Sequence, residues 1–453
     1  MKIIVIGAGA AGMSAALDAR KQNREAIVTV INSEEYTEYS RCGLPYAVSG
    51  EIPKFENLVI HDEGWYDKFG KVKLMLKTDV TDILPDSNSV KVKHEGGAPE
   101  ELQYDSLIIA TGSKPSSPPI QGLDKKGIFS LRTIGDGKNI MTAGTHGKRA
   151  VVVGAGLIGL ELAEALHARG AHVTVIEFLP NVLLAMVDED IAEVVRKKIE
   201  EAGVKLLLNT RVDEVIGKDK VEGVIATNRQ TNEKITVAAD ILVLAAGIKP
   251  DTALAEKAGI SLGPAKAIKV DEHMRTNIKN IYSAGECTEF PDFVTGAQVR
   301  VGLGTIAVRQ GKVAGINAAG GDVTMGPLLN TRVTKLFGLE ITGVGPLSDA
   351  ATKAGIKLIS SKFRGSTLPE YMPHGKEVVV KVLANEEGKI IGAQIVGEEQ
   401  VAQRINVFAA AILKATSVEE FSMLETCYAP PIAPTWDAIT IAAESVARRL
   451  KRR

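Results

Sequence analysis

The 453-residue chain has only three cysteines, Cys42, Cys287 and Cys427, an odd number spread over most of its length. They cannot form a disulfide framework, and their scarcity predicts a reducing, cytoplasmic setting. An excess of charge is also lacking: 54 Lys and Arg against 55 Asp and Glu leave a net charge of −1. No global field therefore draws the protein to nucleic acid or to an anionic membrane, and neither is expected as a partner. Long apolar runs are missing too, none reaching the ~20 residues a membrane-spanning helix needs. The N-terminal "MKIIVIGAGAAGMSAAL" is interrupted by three glycines and reads as a strand and helix rather than a signal peptide. Seven scattered histidines offer no metal-ligand spacing, so no metal is expected and a metal hydrolase is disfavoured.

What is present is a repeat. "KIIVIGAGAAGMSAALDARKQNREAIVTVIN" (2–32) is echoed by "RAVVVGAGLIGLELAEALHARGAHVTVIE" (149–177). Each copy has a β-branched run, a glycine cluster, an amphipathic helical stretch and a second β-branched run, the order of a βαβ unit in a parallel sheet. "SLIIATG" (106–112), "DILVLAAG" (240–247) and "NIYSAGE" (280–286) read as further buried strands ending in small-residue turns. From about Gly326 the character changes. "EVVVKVLANEEGKIIGAQIVG" alternates like antiparallel strands around a glycine turn and is followed by helical stretches, which predicts a separate α+β domain.

In each βαβ copy the glycines have distinct physical tasks. Gly7 and Gly154 permit a tight turn, Gly9 and Gly156 let the backbone approach a pyrophosphate, and Gly12 and Gly159 let the helix pack closely. Helix N-terminal amides, flanked by Ala10 and Ala11 in one copy and Leu157 and Ile158 in the other, then face the phosphates. Glu177 ends the second strand of the later copy, where a carboxylate suits the ribose 2′-hydroxyl of NAD and repels a 2′-phosphate. NADH is the expected donor, with NADPH less favoured. The first copy has Asn32 there, followed by Ser33 and Glu34. Two dinucleotide sites in one chain imply hydride passing from a nicotinamide to a flavin.

The first glycine cluster, "ATGSKP", the second cluster, "IYSAGE" and the C-terminal domain together resemble the pyridine nucleotide-disulfide oxidoreductases. "RCGLPYAVSG" is similar to the single-cysteine branch containing coenzyme A-disulfide reductases, NADH oxidases, NADH peroxidases and persulfide reductases. The resemblance implies an α/β fold with two Rossmann-like domains, for FAD and NAD, and a C-terminal α+β domain that forms a homodimer. The expected limits are 1–112 and 245–325 for FAD, 113–244 for NAD and 326–453 for dimerisation. It also implies an FAD site at Gly7, Gly9, Gly12, Asn32, Ser33, Ser40, Val80, Ala110, Thr111, Gly112, Arg132 and Glu286. Glu286 stands where the family usually has Asp. Gly247 joins Gly154, Gly156, Gly159 and Glu177 at the NAD site.

Within "EEYTEYSRCGLPYAVSG" the position five after Cys42 is Ala47, where dithiol members have a second cysteine. An oxidised Cys42 must then be a mixed disulfide, persulfide or sulfenic acid. Pro45 marks a helix start, and a helix N-terminus with Arg41 alongside is expected to lower the thiol pKa. Cys287 and Cys427 lack this setting and are read as structural. Oxidases and peroxidases of the branch carry a histidine in the first glycine cluster, where this chain has Ala10 and Ala11. That favours a small thiol, disulfide or persulfide substrate. The resemblance gives Tyr428, and by a looser match Tyr371, as proton donors reaching the partner subunit's cysteine. Coenzyme A, as bound ligand or substrate, needs cations for its phosphates, and Arg20, Lys21 and Arg24 are candidates. The expected activity is reduction of coenzyme A disulfide, coenzyme A persulfide or polysulfide. The alternatives are an NADH oxidase making mainly hydrogen peroxide and a flavin-bound interaction protein without turnover.

Overall fold

Lys2–Ile6 carries four successive apolar residues, Ile3 to Ile6, and all four are buried. Such a run suits a strand covered on both faces, as in a parallel sheet. In the computed structural model, which describes residues 1–300 and 302–452, this strand (β1) leads through helix α1 (Ala10–Gln22) to β2 (Ile27–Ile31). β1 and β2 pair in parallel, and β3 (Val72–Met75) extends the sheet beyond β2. On the other side lie Ser106–Ile109 and then Ile281–Ser283, also parallel. The chain therefore returns to its first sheet after building a second one.

The second sheet repeats the plan. Arg149–Val153, the helix Leu157–Ala168 and His172–Ile176 form its βαβ unit. Lys205–Leu207, Ile241–Leu244 and Ile128–Phe129 complete five parallel strands. The repetition extends further than the sequence indicates, because each parallel sheet is accompanied by a three-stranded antiparallel one. These are Thr78–Leu84, Ser89–His94 and Pro99–Gln103, then Thr210–Ile216, Gly223–Asn228 and Lys234–Ala238.

The C-terminal unit is a five-stranded antiparallel sheet covered by the helices Val401–Leu413 and Ala438–Leu450. Its expected hairpin is Glu377–Ala384 against Ile390–Gly397, with Gly388 in the turn. The α/β fold class with a separate α+β unit is thus the one observed. One hydrophobic core runs through all three units: it joins Leu44 and Val48 near Cys42, Leu160 and Leu166 of the second βαβ helix, and Ile341 and Val396 of the C-terminal sheet. The two dinucleotide-type units and the C-terminal sheet thereby share one packed core, to which residues next to Cys42 belong. Among the described residues no helix is long and apolar enough to cross a membrane.

Candidate active site

Both glycine loops lie at the carboxyl ends of their first strands. Gly7 and Gly154 have φ of +104° and +108°, where a side chain is strained. A Cβ on Gly7 would also collide with the Ala110 carbonyl, and one on Gly154 with the Ala245 carbonyl. Gly9 and Gly156 differ: among the described residues a Cβ there would meet nothing within 4 Å. These two positions face open space at the N-termini of helices of 13 and 12 residues. An anionic pyrophosphate can therefore approach backbone amides directly, so both loops fit a dinucleotide.

The residue ending each second strand reaches back to its own glycine loop. The Asn32 carboxamide oxygen accepts from the Ala8 amide at 3.4 Å, and its nitrogen donates to the Tyr36 carbonyl at 3.0 Å. The Glu177 carboxylate accepts from the amides of Ala155 and Leu179, the latter at 2.7 Å. The architecture is shared, and the chemistry is neutral in one copy and anionic in the other.

A cavity of about 640 Å³ opens at the first loop, within the roughly 300–1,000 Å³ of ordinary ligand sites. Gly7, Gly9, Ala10, Ala11, Asn32, Ser33, Ser40, Val80, Ala110, Thr111, Gly112, Arg132 and Glu286 line it, and so does Cys42. Gly12 lies beneath, against the Gly7 carbonyl. Gly154, Gly156, Leu157, Ile158, Gly159, Glu177 and Gly247 gather at the second sheet, outside this cavity. The sequence did not single out Thr78, Asp251 or the residues Gly302, Leu303 and Gly304, which also line it. Gly304 opens the helix Gly304–Ala318, whose only sequence signal is a small-residue pattern suited to close packing on α1.

Cys42 sits in a single 3-10 turn, Arg41–Gly43, that runs into the short helix α2 (Leu44–Ser49) with Pro45 in its first turn. The sulfur is open to the cavity. The expected depression of its pKa is not what the structure gives. Dense protein around the thiol pushes its pKa up, and the carboxylates of Glu161 and Glu286 push the same way; Arg132 opposes them. α2 has six residues, too few for a strong N-terminal field.

Arg41 is not the expected free cation beside the sulfur. Its guanidinium pairs with Glu34 at 2.5 Å and donates to the Tyr39 hydroxyl and the Arg132 carbonyl. Arg132 supplies the cation, and it is itself paired with Glu286 at 2.9 Å. The Glu286 carboxylate also accepts from the Ser113 hydroxyl at 2.8 Å. Glu161 is a further acid that sequence reasoning missed. It is one helical turn beyond Leu157, which was the available signal, and its carboxylate accepts from Thr334 of the C-terminal sheet at 2.9 Å. Burial raises its pKa.

A pH prediction follows from the raised thiol pKa. In nucleotide-free protein, the rate of Cys42 alkylation by iodoacetamide should still be climbing above pH 8.5, because only the thiolate reacts and an unperturbed thiol is half ionised near ~8.5. A plateau below pH 8 contradicts it.

The two candidate tyrosines, distant in sequence, come together. The Tyr371 and Tyr428 hydroxyls are 3.0 Å apart, and both residues are exposed. Neither lines the cavity of its own chain. Exposed Met423, Ile432 and Trp436 lie in the same C-terminal segment as Tyr428. Cys287 is fully buried, its sulfur against the Ile109 and Ala284 carbonyls, as a structural thiol should be. Cys427 is exposed instead, so its structural reading is corrected. Two of the three cations proposed for coenzyme A are also committed. Arg20 donates to the carbonyls of Arg24 and Ala26, and Lys21 pairs with Asp18.

Residues 1–311 match the family described as pyridine nucleotide-disulphide oxidoreductase. The chain belongs to this family. Residues 332–438 match the dimerisation domain of the same family. This pyridine nucleotide-disulphide oxidoreductase is thus a flavoprotein, using FAD and NAD(P)H, with a domain suited to homodimer formation. It is similar to the NADH oxidase of Methanocaldococcus jannaschii, 39% identical over 452 residues and 99% of each chain. It is also similar to the CoA-dependent NAD(P)H sulfur oxidoreductase of Pyrococcus furiosus, 33% identical over 98% of each chain. A solved NAD-dependent persulfide reductase from A. fulgidus superposes with a TM-score of 0.95 at 34% identity. That match covers 100% of this chain and 84% of the other.

Proposed function

We propose that this oxidoreductase uses NADH to reduce a small sulfur acceptor, a coenzyme A disulfide, coenzyme A persulfide or polysulfide, through Cys42. The observation that carries this reading is one thiol facing the cavity of the first glycine loop, with Ala47, not a second cysteine, one turn along α2. Sequence and geometry support an FAD unit at 1–112 and 245–325, an NAD unit at 113–244 and a dimerisation unit from 326. FAD, when bound, relays two electrons between nicotinamide and sulfur.

The chain's own residues do the rest. Gly9 and Gly156 leave room for the two pyrophosphates, and Glu177 selects NADH by its negative charge. Arg132 is the cation closest in effect to Cys42 and stabilises its thiolate, while Glu286 fixes the guanidinium. The thiolate attacks the acceptor's S–S bond. A Cys42–S bond forms, the acceptor bond breaks, and the departing thiolate takes up a proton. The partner subunit's Tyr428, hydrogen-bonded to the partner subunit's Tyr371, is assigned to donate it. Two electrons and a proton from NADH, with one further proton, then return Cys42 to the thiol and release the second product.

The name of the Methanocaldococcus relative favours a second reading, an NADH oxidase making mainly hydrogen peroxide. Against it, no histidine among the described residues lines the cavity. The test is a ratio. Anaerobic NADH turnover with coenzyme A persulfide or disulfide should exceed turnover in air alone by about tenfold or more, a transition-state preference of ~1.4 kcal/mol. Equal or faster turnover in air supports the oxidase.

A further inference from the structure

The loop after Glu177 is held from the C-terminal sheet. Leu183, in this loop, has φ of +53° although it is a buried leucine, a conformation that persists only where its surroundings impose it. Its amide donates to the Ala155 carbonyl at 2.9 Å, in the middle of the Gly154–Gly156 turn. Met186 and Val187 bond back to the Leu183 carbonyl.

Two buried cations of the C-terminal sheet hold the far side of this loop. The Arg332 Nε donates to the Met186 carbonyl at 3.0 Å, and its Nη1 donates to the Asn330 and Gly345 carbonyls. Arg332 is 7% exposed, and among the described residues it has no carboxylate within ion-pair distance. Lys381, 8% exposed, bridges Asp188 at 2.9 Å and Asp190 at 2.6 Å. Asp188 also accepts from the Ser348 amide and hydroxyl, and its own amide donates to Gln394. A buried cation is costly, and an apolar residue of similar size would join two units as firmly. What the charged side chains add is direction: they fix where the Met186 carbonyl and the Asp188 carboxylate lie.

We propose that Arg332 and Lys381 are positioning residues for the nicotinamide nucleotide, setting the Leu183–Asp188 loop and, through Leu183, the turn on which the pyrophosphate rests. The dimerisation unit thereby shapes the NADH site as well as the subunit contact. This rests on the proposed NADH site at Gly154–Gly159.

The test uses full-length, FAD-loaded Arg332→Met and Lys381→Met proteins with ferricyanide as acceptor, so that Cys42 is not required. The expected result is a KM for NADH raised on the order of tenfold in each, the effect of losing one or two charge-assisted hydrogen bonds. FAD content should be unchanged and kcat within about twofold, the pattern of lost uniform binding. Arg332→Lys should recover part of the loss. An unchanged KM in both variants overturns the proposal, and so does a fall in FAD content and kcat with KM intact. If Arg332→Met fails to fold, Lys381→Met decides alone. Native enzyme without saturable dependence on NADH overturns the NADH-site reading as well.

Discussion

Cys42→Ser protein should purify yellow, with its full complement of FAD, and reduce sulfur acceptors at least about a thousandfold more slowly than the native enzyme. The reason is chemical rather than structural. Cys42 is exposed and lines the cavity, so an oxygen in place of sulfur leaves the surrounding walls intact. A serine hydroxyl, however, is far less acidic than a thiol and forms no bond to sulfur that reduction can reverse. Oxygen consumption should persist at its slow native rate, since that route does not pass through the thiol. Cys427→Ser is the control. Cys427 is exposed too, yet outside the cavity, and its replacement should leave sulfur turnover within about twofold of native. Retained turnover in the Cys42 variant, measured anaerobically as NADH consumed with coenzyme A disulfide, would refute the sulfur mechanism.

The second large effect separates the twin glycine loops. Gly7→Ala forces a side chain into a backbone conformation with φ of +104° and against the Ala110 carbonyl. The loop must move, and displacement by about an ångström at a positioned ligand costs on the order of a hundredfold. This variant should purify with little or no bound flavin. Gly154→Ala meets the same strain and the Ala245 carbonyl, in the other unit. It should stay yellow and lose about a hundredfold in kcat/KM for NADH. Absorbance at the flavin band against protein content, with NADH kinetics, distinguishes the two. Flavin loss in the Gly154 variant with retention in the Gly7 variant would reverse the assignment of the loops.

These loops were legible in the sequence because their requirements are local. A turn with φ near +100° and an approach closer than a Cβ allows can be met only by glycine, so the spacing declares itself. The buried strands were readable for a similar reason, as short β-branched runs ending in small residues. The electrostatics of the site were not. Arg41 looked like a cation for Cys42, but Glu34 and the Arg132 carbonyl capture it, and Arg132 is 91 residues away in sequence. The direction of the Cys42 pKa depends on burial and on Glu161, an acid from the second βαβ unit that the core packing brings near. The Tyr371–Tyr428 contact and the hold of Arg332 on the Met186 carbonyl likewise span distant segments that no local pattern links.

Intact-protein mass after anaerobic mixing of the thiol-reduced enzyme with coenzyme A disulfide, before and after NADH, tests the sulfur mechanism most directly. The prediction is a single added coenzyme A moiety, mapped to Cys42, that forms without NADH and disappears when NADH is supplied. Rapid NADH oxidation by the same sample with no adduct, or with an adduct that persists, would contradict it.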